Sequence, residues 1–403
     1  MSGFLDKLGQ NFLVATFIPS LGFVLISIFI FLPIFPPQIA QTLVFSLNES
    51  IAGNALLLFV LTLLLGYTLF GLNTFLYKLV EGYYFLNRST VWRRRQQQKA
   101  QKRLKQIERL DNLINNLYER ADSDSRLQTF IEQLKNINFG YKAQYRLDYP
   151  TQIESILPTR FGNILRAAET YPNEHYGLEA VLMWPRLIYV MPSSYFGKVD
   201  QSNNGLAFVV NSMFLSIILV LLCTLGSLYQ FSVKELALMQ VSNPVFPACE
   251  LEILKMLTDE AQASVEKAVM CPLYFLPLRV DQAAQKEYAQ RGWLYLLGSL
   301  GFVGVSFFFY NASLLAARQY GNMIRSAYDL FRFDLLRQLR LPLPATSREE
   351  FITWELWTEF VALGDAGGEL TAFTYAFAPD EAKTISFESE LSFGSLSDDE
   401  EEE

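Results

Sequence analysis

A single imidazole sets the first limit on the chemistry open to this chain. His175 is the only histidine, and Cys223, Cys249 and Cys271 are the only cysteines. One histidine cannot build a His-rich metal site, and three cysteines cannot build a four-cysteine zinc site. No metal or cofactor is therefore expected. What remains is charge: Arg160, Arg166, Glu169, His175, Tyr176 and Arg186 fall in one short segment. Such a set has the chemistry to hold an anionic group, with His175 as a pH-sensitive element. Equally, these residues can satisfy one another and hold a Pro- and Gly-rich backbone at a membrane surface; both readings stay open. No G-x-x-x-x-G-K-[ST], G-x-S-x-G or H-E-x-x-H pattern occurs, and no residue near His175 is distinguished as a nucleophile, so an enzyme is not expected.

Cys249 and Cys271 form a candidate disulfide. One continuous helix between them would hold them about 33 Å apart, whereas a bond needs Cα atoms within about 7 Å. It therefore requires a chain reversal, for which Thr258-Asp259 supplies the break. Two unpaired thiols are the alternative.

The elements that must position these groups follow from where charge is missing. Charged residues make up 18% of the chain, against roughly a quarter in an average soluble domain. The deficit is concentrated between Lys7 and Glu49, Glu49 and Lys78, Asp200 and Lys234, and Arg291 and Arg318. Each gap exceeds the roughly 18 apolar residues of a bilayer-crossing helix. Four spans are expected, centred on Phe12 to Phe35, Ile51 to Tyr77, Leu206 to Leu228 and Trp293 to Ala317, with a kink near Pro19; a re-entrant hairpin over residues 11–45 is the alternative for the first. The fold class is all-α, a four-span transmembrane protein with a helical cytoplasmic domain.

Orientation follows from Lys and Arg, which accumulate on cytoplasmic flanks. Arg88, Arg93, Arg94, Arg95, Lys99, Lys102, Arg103, Lys105 and Arg109 face Glu108 alone after the second span. Both termini are expected in the cytoplasm. The resulting division is a first transmembrane pair over 1–86, a cytoplasmic domain with a basic helical stalk over 87–204 and a third transmembrane helix over 205–230. An extracytoplasmic helical loop follows over 231–291, then a fourth transmembrane helix over 292–317, cytoplasmic C-terminal helices over 318–378 and an acidic tail over 379–403. The basic run from Arg88 to Arg109 also fits anionic lipid headgroups better than nucleic acid, because it adjoins a span and has only Trp92 as an interleaved aromatic.

Within the inner segments, Leu104, Ile107, Leu110, Ile114, Leu117 and Ala121 make one helical face, which fits either packing on its own domain or a coiled-coil seam in a homo-oligomer. A helix broken near Pro185 is expected over 178–191. Further on, Tyr320 to Leu341 reads as a helix with an Arg325 to Asp329 pair, and Ser347 to Leu363 as another, opened by a Ser347/Glu350 capping box. Gly298, Gly301 and Gly304 mark a helix-packing seam in the fourth span.

Three stretches carry a resemblance. Leu157-Pro158-Thr159-Arg160-Phe161-Gly162-Asn163-Ile164-Leu165-Arg166-Ala167-Ala168-Glu169 is the most specific; Tyr77 to Tyr83 and Tyr320-Gly321 through Ala327-Tyr328-Asp329-Leu330-Phe331-Arg332-Phe333-Asp334-Leu335-Leu336 accompany it. Together they resemble a pattern in a widespread family of bacterial multi-pass membrane proteins to which no activity is assigned. The resemblance implies a bacterial inner-membrane protein and brings no reaction with it. The leading functional expectation is a non-enzymatic scaffold or signalling component with a cytoplasmic protein partner; an oligomeric channel is the alternative.

Overall fold

The computed structural model describes residues 12–31, 51–84, 90–119, 125–242 and 282–364, together with 373, 375 and 376. Among them every regular element is a helix, as the charge and hydropathy pattern requires. A π-helical turn, Leu13–Phe17, leads into α1, Ile18–Phe31. Then come α2, Ile51–Glu81; α3, Thr90–Tyr118; α4, Ser125–Asp148; α5, Arg160–Tyr176; and α6, Ala180–Val190. The long α7, Ser193–Ser242, and α8, Gln282–Gln338, precede α9, Ser347–Leu363. Four stretches, Leu13–Ile30, Ala55–Glu81, Ser193–Ser232 and Ala289–Gln338, are long and apolar enough to cross a membrane. This is a membrane protein.

The chain divides into two units. The first comprises 1–77 and 204–313. Its packing is held by short polar contacts in an apolar setting, where an unmet backbone group is costly. Pro19 has no N–H to offer the carbonyl of Ala15 four residues earlier, and the Asn211 amide of α7 donates to that carbonyl at 2.9 Å. Just before Pro19, where a kink is expected, the helix takes a π-helical turn. Thr224 and Ser299 join α7 to α8 at 2.9 Å, Ser227 donates to the Gly292 carbonyl at 2.9 Å, and Tyr295 to the Ile30 carbonyl at 2.8 Å.

The second unit comprises 78–203 and 314–403, so two segments far apart in sequence build one domain. Its main core joins Met183 and Leu187 of α6 to Ala327, Tyr328, Leu335 and Leu336 of α8 and Trp354 and Trp357 of α9. The buried Tyr328 hydroxyl donates to the Ala180 carbonyl at 2.6 Å. Between α3 and α4, Ile107 packs with Ala100, Tyr145, Tyr149 and Ile156, while Ile114 packs with Ile131. Of the two readings of the α3 face, the structure has the one in which it packs on its own domain.

Four local expectations are corrected. The basic stalk does not continue the second span: α2 stops at Glu81, Gly82 takes φ 94°, and Tyr83 N–H returns to the Lys78 carbonyl, a left-handed stop before α3. Pro185 does not break its helix, because it removes a single backbone bond while Ala180, Met183 and Leu187 keep α6 seated in the core. The cap of α9 is Thr346 rather than Ser347: its hydroxyl accepts from Glu349 N–H at 3.2 Å, while Glu349 accepts from Ala345 N–H. Arg325 does not pair with Asp329; it donates to Asn322 and to the Arg146 carbonyl, and Asp329 accepts from Tyr176 at 2.8 Å.

Candidate anion-binding site

The segment from Leu157 to Glu169 is organised by small residues and a closed polar loop. Thr159 caps α5, accepting from Gly162 N–H at 2.9 Å and donating to the Glu81 carbonyl at 2.9 Å. Asn163 folds back on Leu157, accepting from its N–H at 2.6 Å and donating to its carbonyl at 3.0 Å, so one buried amide satisfies both backbone groups before the helix. Gly162 is glycine because a Cβ there would lie 2.6 Å from the Glu81 carbonyl oxygen. At Gly321 a Cβ would press on that of Ala168 at 3.0 Å, so α5 and α8 meet where both residues are small. Gly177, with φ 75°, ends α5 and faces the Phe351 carbonyl.

The sequence-selected residues separate among these contacts. Arg166 and Glu169 pair at 3.5 Å. Burial raises the Glu169 carboxyl above its usual range, outweighing the neighbouring Arg166 guanidinium. His175 sets Nδ1 3.0 Å from the Tyr171 carbonyl, with its ring against Tyr171 at 4.1 Å. Arg186 donates to the Leu182 carbonyl of its own helix. Gly298 faces Cys223 at 3.8 Å, whereas a Cβ at Gly301 or Gly304 meets nothing within 4 Å. Cys223 is buried with a free thiol; Cys249, Cys271, the acidic tail and the 243–281 stretch lie outside the described residues.

Arg160 goes elsewhere. It lines a cleft of about 300 Å³ with Lys99, Lys102, Arg103 and Tyr149. Positions 99, 102 and 103 share one face of α3 through spacings of three and four, and α4 delivers its C-terminal end beside them. Asp148 fixes the back wall: buried, it accepts from Arg103 at 2.8 Å and from Arg318 at 2.7 Å, and so is spent on two guanidinium groups. Arg103 also lies over the Tyr149 ring at 5.6 Å, and Tyr149 stacks on Tyr145 at 5.5 Å. Burial holds the Tyr149 phenol above its ordinary range despite the nearby Arg103 and Arg160 charges, so it remains a neutral hydroxyl. Gln97 donates to the Ile153 carbonyl, tying α3 to the chain that leads to Arg160. Among the described residues no hydrogen bond or ion pair engages Lys99, Lys102 or Arg160.

The arrangement suits electrostatic capture of an anion, with three uncommitted cations around a phenol on a pre-set wall. Sequence reasoning named Arg160 but missed its partners, because Lys99 and Lys102 lie some sixty positions earlier in a run read as a topology signal; their shared helical face was the available clue. Among the described residues no group of three or more His, Cys, Asp or Glu is placed to hold a metal. No family model, curated protein or solved structure matches the chain.

Proposed function

We propose that the protein is a multi-pass protein of a bacterial inner membrane, with both termini cytoplasmic, whose second unit acts as a non-enzymatic scaffold or signalling component. The observation that carries this reading is an apolar line on the outer face of α4. Phe130, Ile137 and Tyr141, spaced by seven and four and so on one face, are each about half exposed, and Phe139, on the other side of the helix from Ile137, is 74% exposed. The adjoining face of α4 is already seated through Ile131 and Tyr145. Exposed apolar side chains aligned on a packed helix are the composition of a protein-binding surface. The basic α3 supports the inward orientation.

The test replaces Ile137 and Phe139 by serine in the full-length chain. Neither is buried, so abundance should stay at the wild-type level, while complementation of a deletion strain should fail. Full complementation by the double variant would remove the scaffold reading. Ion flux through liposomes holding the purified protein would favour the oligomeric channel instead.

A further inference from the structure

We infer that the cleft between α3 and the start of α5 binds a phosphate-bearing anion. The inference adds a ligand to the domain proposed above and rests on that reading only for the side of the membrane on which the ligand is met.

The charge balance makes the argument. Five side chains line the cleft, and four are cationic: Lys99, Lys102, Arg103 and Arg160. The adjacent carboxylate, Asp148, is buried and shared between Arg103 and Arg318, so it does not reach the other three. Like charges gathered around a concavity repel one another, and an anion that enters relieves the repulsion. Its class follows from the donors. Two ammonium groups act as movable point charges, Arg160 offers a planar fork, and the Tyr149 hydroxyl is a neutral donor on an immobile ring. That mixture matches the several oxygens and multiple charge of a phosphate group better than a single carboxylate. The volume, about 300 Å³, admits a phosphate with a small organic group attached.

The source is either a lipid headgroup or a soluble phosphorylated compound. Thr159, next to Arg160, donates to the carbonyl of Glu81, the last residue of the α2 span. That adjacency places Arg160 within a residue of a chain leaving the bilayer, which favours the headgroup.

Full-length protein in nanodiscs of neutral lipid gives the baseline. One arm adds phosphatidic acid to the discs and reads retained lipid by native mass spectrometry; the other titrates inorganic pyrophosphate by calorimetry. Lys102→Gln and Arg160→Gln are compared with Lys105→Gln, a change on the same helix outside the cleft lining. Each cleft variant should weaken binding about fivefold, and Lys105→Gln should leave it unchanged. Lys102 is exposed, so its variant keeps the fold if Arg160→Gln does not. Retention in the first arm alone identifies a lipid headgroup, and binding in the second a soluble ligand. Absence of binding in both arms, or equal loss in all three variants, would overturn the site. Neither result bears on whether the α4 surface is needed for complementation.

Discussion

A methyl group at position 162 would press on the Glu81 carbonyl oxygen at 2.6 Å, a backbone atom that cannot swing aside. Gly162→Ala is therefore expected to lower stability by about 1–3 kcal/mol, read as a reduced melting temperature of the purified protein. Asn163→Ala strips partners from two buried backbone groups of Leu157 and should cost about 2–3 kcal/mol; a loss below 0.5 kcal/mol, in the range of ordinary surface changes, would contradict the closed-loop role. Glu169 behaves differently. Its raised carboxyl pKa means that the folded chain holds the proton more tightly than the unfolded chain. That contribution is present below the ordinary Glu value of 4.5 and is lost as pH climbs through the folded value. Glu169→Gln should thus gain on the wild type as pH rises from 4.5 towards neutrality. The partly exposed Arg166 contact that it gives up is worth only about 0–1 kcal/mol. Parallel stability-versus-pH curves for the two proteins would show the burial argument to be mistaken.

At the level of elements, the sequence was readable wherever one face of one helix carried the signal. The apolar positions Ile107 and Ile114 gave α3 its packed side, because period is local. Reading failed where two local rules competed. Gly82 stops α2 inside a stretch that otherwise continues apolar, since a left-handed turn costs glycine nothing. Pro185 sits inside its helix because burial of its neighbours outweighs one missing backbone bond. Thr346 took the cap from Ser347 because Glu350, assigned to the box by spacing, is drawn to Arg332 at 2.6 Å. The cleft was half legible for a related reason: α3 spacing aligned its lysines, but their meeting with Arg160 and Tyr149 is tertiary. The same packing predicts that Ile131→Ala, which opens the α3–α4 contact with Ile114, destabilises the protein by about 2–4 kcal/mol. Chemical denaturation followed by circular dichroism would show it as a lower midpoint.

For the whole molecule, the decisive feature is that the second unit draws on residues 78–203 and 314–403, so both segments must lie on one side of the membrane. Arg332 of the later segment is sandwiched between Tyr176 of the earlier one, 4.2 Å away, and its ion pair with Glu350. Tyr328 reaches Ala180 in the same way. The measurement that tests the account most directly is therefore topological. A compartment-sensitive reporter inserted near Ser123, and a second fused after Glu403, should both report the cytoplasm, the side carrying the Arg88 to Arg109 run. Opposite compartments for the two positions, or a periplasmic signal from either, would contradict it.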